Sequence, residues 1–236
     1  MTPINEAFPF CRREGFQAVI FDWDGVIVDS CQASGEAYQR ILRDLGVEID
    51  QREIRLREGE PTRELITSLL SQRGASVTQD KLDTMVEHRR EYDLGSGQRK
   101  FFPSIWDLIR RIQASGLRTA VVTGSSRASL NRFLGPDLAS ALNTVVSADD
   151  VVRSKPNPEP FLLAAERLGY APEQCLVVEN APFGIRAALQ AGCRVVGLCT
   201  TLAPDDLQEA HWIVRDHPGL ERLLSSSTDN KRSSPG

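Results

Sequence analysis

Short apolar runs rich in β-branched residues recur along the chain. They fall at Phe16–Phe21 (FQAVIF), Leu117–Val122 (LRTAVV), Asn143–Val146, Cys175–Val178 (CLVV), Arg194–Leu198 (RVVGL) and His211–Val214. They lack the clean alternation of a strand with one wet face, so they predict strands buried on both faces, as in a parallel sheet. Between them lie amphipathic stretches at Ile105–Ala114, Ala128–Leu134, Glu159–Leu168 and Gly184–Ala191. Gly116, Gly169 and Gly192 follow three of these, where helices commonly stop. Strand and helix in alternation predict right-handed βαβ units, and hence an α/β fold with a doubly wound, mostly parallel, Rossmann-like sheet.

One segment departs from this rhythm. From about Ser30 to Arg99 the apolar positions keep a helical period and no run reads as a strand: Tyr38/Ile41/Leu42/Leu45, Leu65/Ile66/Leu69/Leu70 and Leu82/Met85/Val86. Leu94–Lys100 (LGSGQRK) has the composition of a linker. The pattern predicts a helical cap domain, residues 30–100, inserted just after the first strand of an α/β core made of residues 16–29 and 101–224. Residues 1–15 and the polar tail 225–236 are expected to be flexible ends.

Composition narrows the function classes. The chain has 236 residues, 41% of them hydrophobic and 25% charged, which suits a globular protein with a proper core and excludes collagen-like and wholly disordered classes. A net charge of −4 without a basic stripe argues against a nucleic-acid partner. It leaves room for an anionic substrate, because a site needs only local positive potential. The five cysteines form no CxxC pair, and His88, His211 and His217 make no metal-spaced cluster with them. A reduced, cytoplasmic protein is expected. The first residues hold no continuous apolar core of a signal peptide, and no stretch has the apolar length of a transmembrane helix, so no membrane partner is expected.

The most informative stretch is Val19–Ser30, VIFDWDGVIVDS, where an apolar strand ends in Asp22, Trp23, Asp24 and Gly25. In an open parallel sheet ligands bind outside the carboxyl ends of the strands. Two carboxylates one residue apart at such an end can converge on one cation and one reacting group. The plainer reading of DxDG alone is an acidic strand end feeding a glycine turn.

DxDGVxxDS after an apolar strand, followed by a helical insertion, resembles the haloacid dehalogenase superfamily. The closest likeness is to its helical-cap members, the β-phosphoglucomutase and phosphoglycolate-phosphatase-like group, and it covers Phe16 to about Leu224. The resemblance implies that Asp22 is a nucleophile forming an aspartyl-phosphate. It implies that Asp24 is the general acid/base, with its backbone carbonyl on Mg²⁺. It further implies a hydroxyl residue at the end of the next core strand, which VVTGSS supplies as Thr123. Backbone N–H groups around Gly124 and Ser125 can hold phosphoryl oxygens there, although TGSS is also good helix-capping chemistry. SKPNPEPF matches the third motif and makes Lys155 the catalytic point charge, set in a proline-stiffened loop, with Pro158 and Glu159 starting a helix. VVENAPFG matches the fourth, where two acids complete the metal site. Glu179 fits, whereas Asn180 stands where the second acid is expected and offers a carbonyl oxygen without charge.

The same likeness bears on reaction type. β-Phosphoglucomutases carry a histidine where this chain has Ser34, so a phosphatase is favoured over a sugar phosphomutase. Asn180 is the feature that would favour a third reading, a catalytically weakened or non-enzymatic relative that binds a metabolite or a protein. The expected activity is Mg²⁺-dependent hydrolysis of a small phosphorylated metabolite, a sugar phosphate among the candidates, by a monomer or homodimer. Arg63, at a cap turn where relatives contact substrate, is a candidate for substrate binding, although an exposed helical arginine is the plainer reading and Arg52, Arg55, Arg57, Arg89 and Arg90 compete for the role.

Overall fold

The computed structural model describes residues 7–95 and 100–227. Six strands form one parallel sheet: β1 (Ala18–Asp22), β4 (Arg118–Val122), β5 (Thr144–Val146), β6 (Cys175–Glu179), β7 (Arg194–Leu198) and β8 (Trp212–Val214). The order across the sheet is β5-β4-β1-β6-β7-β8, with every neighbouring pair parallel. β1 is therefore flanked on both sides, in register Asp22 with Val122 and Phe21 with Val178. The unalternating apolar runs have a direct cause. Val19 and Phe21 enter one buried cluster while Ala18 and Ile20 enter another on the opposite face.

Helices cover both faces. Ile105–Ala114, Glu159–Leu168, Pro182–Gln190 and His217–Leu224 each present a buried apolar stripe to the sheet. Gly116, Gly169 and Gly192 all take positive φ at helix ends, as their positions in the sequence predict. The stretch expected as a helix at 128–134 is a shorter one, Arg127–Asn131, capped by Ser126 Oγ accepting from the Ser129 N–H at 3.2 Å.

Over its described residues the inserted segment is built of four helices joined by turns: Cys31–Arg43, Gln51–Arg55, Thr62–Ser71 and Gln79–Gly95. All three apolar sets read from the sequence meet in one cap core around Leu42, Ile66 and Leu69. A feature with no sequence signal closes the base of the cap. β2 (Val28–Asp29) and β3 (Lys100–Phe101) pair antiparallel, so the chain leaves and re-enters the core side by side. Strands of two residues are too short to carry any period.

The N-terminal end differs from the flexible segment expected. Residues 1–6 and 228–236 lie outside the described residues, but Phe8, just before the helix Pro9–Arg13, and Phe10 and Cys11 on it are buried in the core. Phe10 packs edge-on to Trp212 at a centroid separation of 5.1 Å. The charges of this stretch hid its apolar residues from a composition argument.

Beyond β5, Asp150 ties the site-side edge of the core together. It accepts from Ser147 N–H (2.8 Å) and Oγ (2.6 Å), from Arg127 (2.7 Å) and from Arg167 (2.9 Å). Burial pushes its carboxyl up, but the Ser147 hydrogen bonds and the two arginines outweigh this and hold it well below the usual carboxylate range. Asp150 therefore contributes stability that is complete above about pH 4, the range of a free aspartate, and lost as pH falls further. Asp150→Asn is expected to cost about 2 kcal/mol at neutral pH and to flatten the acid limb of stability, measured by urea unfolding between pH 3 and 7.

Candidate active site

The DxD segment alternates faces at the end of β1. Trp23 goes to the core, with ring centroids 6.0 Å from Phe101 and 6.3 Å from Trp106. Asp22 and Asp24 are thereby turned to the carboxyl edge of the sheet, where both line one cavity of about 320 Å³ beneath the cap. Asp22 is 6% exposed and Lys155 is 2% exposed, so their contact is effectively dry. Lys155 Nζ donates to Asp22 Oδ1 at 2.5 Å and to Glu179 Oε1 at 2.6 Å. Asp24 is held separately, its two carboxylate oxygens accepting from Ser30 Oγ (2.5 Å) and Ser125 Oγ (3.1 Å).

β4 brings in the second motif. Thr123 follows the strand, its N–H donating to Val146 and its Oγ1 accepting from the Ser125 N–H at 3.0 Å. Gly124 and Ser125 line the cavity directly. β6 ends in Glu179, whose Oε2 accepts from the N–H groups of Asn180 (2.9 Å) and Ala181 (3.3 Å). Two glycines make these approaches possible. A Cβ on Gly184 would lie 1.8 Å from Glu179 Oε1, and one on Gly25, whose φ is +83°, would lie 2.1 Å from Asn180 Nδ2.

The electrostatics favour a cation. Lys155 is one positive charge against Asp22 and Glu179, with Asp24 and Glu58 close by. Burial pushes the Asp22 carboxyl up, against the pull of Lys155 and with the push of Glu179. Lys155 is lowered by burial but raised on balance by the two carboxylates it bridges. Glu58, on the cap, is pushed up to about 7 by burial and by Asp24. Among the described residues no three His, Cys, Asp or Glu side chains stand together as a ready chelate. The donor set nevertheless fits a hard cation that keeps several waters. Its clearest mark is Asn180 Oδ1, fully buried and without a hydrogen-bond partner. An amide oxygen left in that state costs about 1–3 kcal/mol unless something else satisfies it.

Most of the residues singled out in the sequence converge here: Asp22, Asp24, Thr123, Gly124, Ser125, Lys155, Glu179 and Asn180. Arg63 does not. It lies on the exposed side of its helix, paired with Asp83, and is absent from the cavity wall. The cap arginines that do line the cavity are Arg55, Arg57, Arg89 and Arg90. Arg89 donates to Ser34 Oγ at 2.7 Å and lies over the Tyr38 ring at 4.7 Å. Glu58 was not foreseen, and no motif marks it. It follows the helix Gln51–Arg55 and reaches the site only because Gly59, at φ +90°, lets the loop press on Lys155.

The chain is similar to known proteins along most of its length. Validoxylamine A 7'-phosphate phosphatase of Streptomyces hygroscopicus subsp. limoneus is 28% identical over 202 residues, which cover 85% of this chain and 94% of that protein. A phosphorylated carbohydrates phosphatase of Thermotoga maritima is 30% identical over 190 residues, 79% of this chain and 87% of its own. A solved structure from Bacteroides vulgatus, named provisionally as a β-phosphoglucomutase, superimposes with a TM-score of 0.80 at 28% identity, covering 96% of this chain and 98% of that one. Among the described residues no helix is long and apolar enough to cross a membrane. Residues 19–198 match the family described as haloacid dehalogenase-like hydrolase, and with the DxD, Thr, Lys and Glu positions gathered at one sheet edge the chain belongs to that family, as an enzyme of its phosphatase type.

Proposed function

We propose that this protein is a Mg²⁺-dependent phosphatase that hydrolyses a small phosphorylated metabolite through an aspartyl-phosphate on Asp22. The observation that carries the reading is the division of labour between the two aspartates. Asp22 sits dry against Lys155, while Asp24 is held by two hydroxyls on the cavity side. An Asp22 carboxylate oxygen attacks phosphorus, and the bond from phosphorus to the ester oxygen breaks. The Asp24 carboxyl passes its proton to the departing alkoxide. Asp24 then takes a proton from water as that water attacks the aspartyl-phosphate, which frees Asp22 and inorganic phosphate. Lys155, Thr123 and the N–H groups at Gly124 and Ser125 steady the phosphoryl oxygens throughout. Asp22, the Asp24 carbonyl, Glu179 and Asn180 would hold Mg²⁺, which supplies charge neutralisation to the phosphoryl group and to Asp22.

A cavity of about 320 Å³ lined by Ser34, Tyr38, Thr62 and the cap arginines suits a substrate of sugar-phosphate size. The names of the two phosphatase relatives support the same class. Ser34 is engaged by Arg89 rather than being a titratable gate, which favours hydrolysis over phosphomutase chemistry. The test is phosphate release from a panel of phosphorylated metabolites, with Mg²⁺ and with a chelator, alongside acid-quenched capture of the phosphoenzyme. Turnover that survives chelation, or no acid-stable acyl-phosphate during turnover, overturns the mechanism.

A further inference from the structure

The charge missing from Asn180 reappears one hydrogen bond away, on the cap. Glu58 Oε2 accepts from Asn180 Nδ2 at 3.1 Å, and the second hydrogen of that amide has Thr201 Oγ1 at 3.1 Å. The Glu58 carboxylate also accepts from Cys31 Sγ at 3.1 and 3.2 Å. With both amide hydrogens spent, the orientation of Asn180 is determined: Nδ2 faces the cap and Thr201, and Oδ1 is left buried without a partner. A neutral amide is a poor anchor for a divalent cation unless its oxygen is aimed and negative charge stands near.

We propose that Glu58 is a positioning residue of the metal site, a cap-borne carboxylate that aims Asn180 Oδ1 at the cation and supplies the negative charge Asn180 lacks. The inference rests on the Mg²⁺ reading above and deepens it. Its consequence is a coupling between two domains. Glu58 reaches Asn180 only with the cap loop down on Lys155 and Gly124. Cation binding therefore favours the closed cap, and cap closure tightens the cation by the same factor, since linkage is reciprocal. A closed cap with a charged metal shell is also the state that excludes bulk water from the phosphoryl group.

The experiment is calorimetric titration of Mg²⁺ alone, without substrate, into the full chain at pH 8. Four proteins are compared: wild type, Glu58→Gln, Asn180→Asp and the double variant. Glu58→Gln keeps an oxygen to accept from Asn180 Nδ2 and removes only the charge. It is expected to weaken Mg²⁺ about 10–100-fold, the usual effect of losing an outer-shell partner. The double variant returns the carboxylate to position 180 and is expected to recover most of that loss. Limited proteolysis of the cap is expected to be slowed by Mg²⁺ in wild type and much less so in Glu58→Gln. Equal Mg²⁺ affinity in wild type and Glu58→Gln, or a folded double variant that binds no better than Glu58→Gln, overturns the inference and leaves the phosphatase reading standing. A wild-type protein that binds no Mg²⁺ overturns both.

Discussion

Asp22→Asn is expected to reduce phosphate release by about 10³-fold or more, equivalent to a barrier raised by about 4 kcal/mol, while leaving the fold intact. The amide has nearly the shape of the carboxylate and can still accept from Lys155 Nζ, so the contact at the end of β1 survives. What is lost is the nucleophile. An amide oxygen does not form the acyl-phosphate, and no other described side chain replaces it opposite Thr123 and Lys155. The stability change has the opposite sign from an ordinary active-site deletion. Burial disfavours the Asp22 charge, so its removal is expected to leave the Mg²⁺-free melting midpoint unchanged or raised. Steady-state kinetics on an aryl phosphate together with thermal melts separates the two effects. Retained turnover sinks the assignment of Asp22, and a collapse of the melt would mean that the carboxylate is structural.

Lys155→Met is expected to fail in a different way. The lysine bonds to both Asp22 and Glu179, and all three side chains are buried. Deleting the cation from a dry pair leaves charge without a counterpart, at a cost of about 3–5 kcal/mol. Asp22 and Glu179 can answer only by taking up protons, which removes the nucleophile as well, so activity falls with stability. Mg²⁺ is expected to restore part of the lost stability, because it brings positive charge to the same carboxylates. Combining Lys155→Met with Asp22→Asn is expected to be less destabilising than the sum of the two, since the second change removes one of the stranded charges. Urea unfolding of the three variants with and without Mg²⁺ measures both effects. An unchanged midpoint in Lys155→Met would show that the buried lysine neutralises nothing.

Asp22, Thr123 and Glu179 were legible because each closes an apolar run, and a polar residue at the carboxyl end of a buried parallel strand has few other uses. Lys155 was legible through its proline-stiffened surroundings. For Arg63 the plainer reading, an exposed helical arginine, agrees with its pairing to Asp83, because a helical position alone does not say which side of the helix meets the cavity. The burial of Phe8 and Phe10 leaves no trace in the sequence for a related reason, since a helix of five residues is too short to show a period.

The sequence by itself determined the layered α/β core, the helical character of the segment that follows the first strand and the residue types available to the chemistry. Those follow from local pattern: continuous apolar runs need two covered faces, and glycines end helices where the backbone takes a positive φ that strains most side-chain residues. Tertiary structure alone decided which cap residue enters the site and what Asn180 means there. Glu58 is 122 residues from Asn180 along the chain, and their contact exists only through the descent of the cap loop at Gly59. An asparagine in place of an acid reads as a deficit in one dimension. In three, a carboxylate stands one hydrogen bond away on Glu58, because proximity depends on distance in space and not on order in the chain.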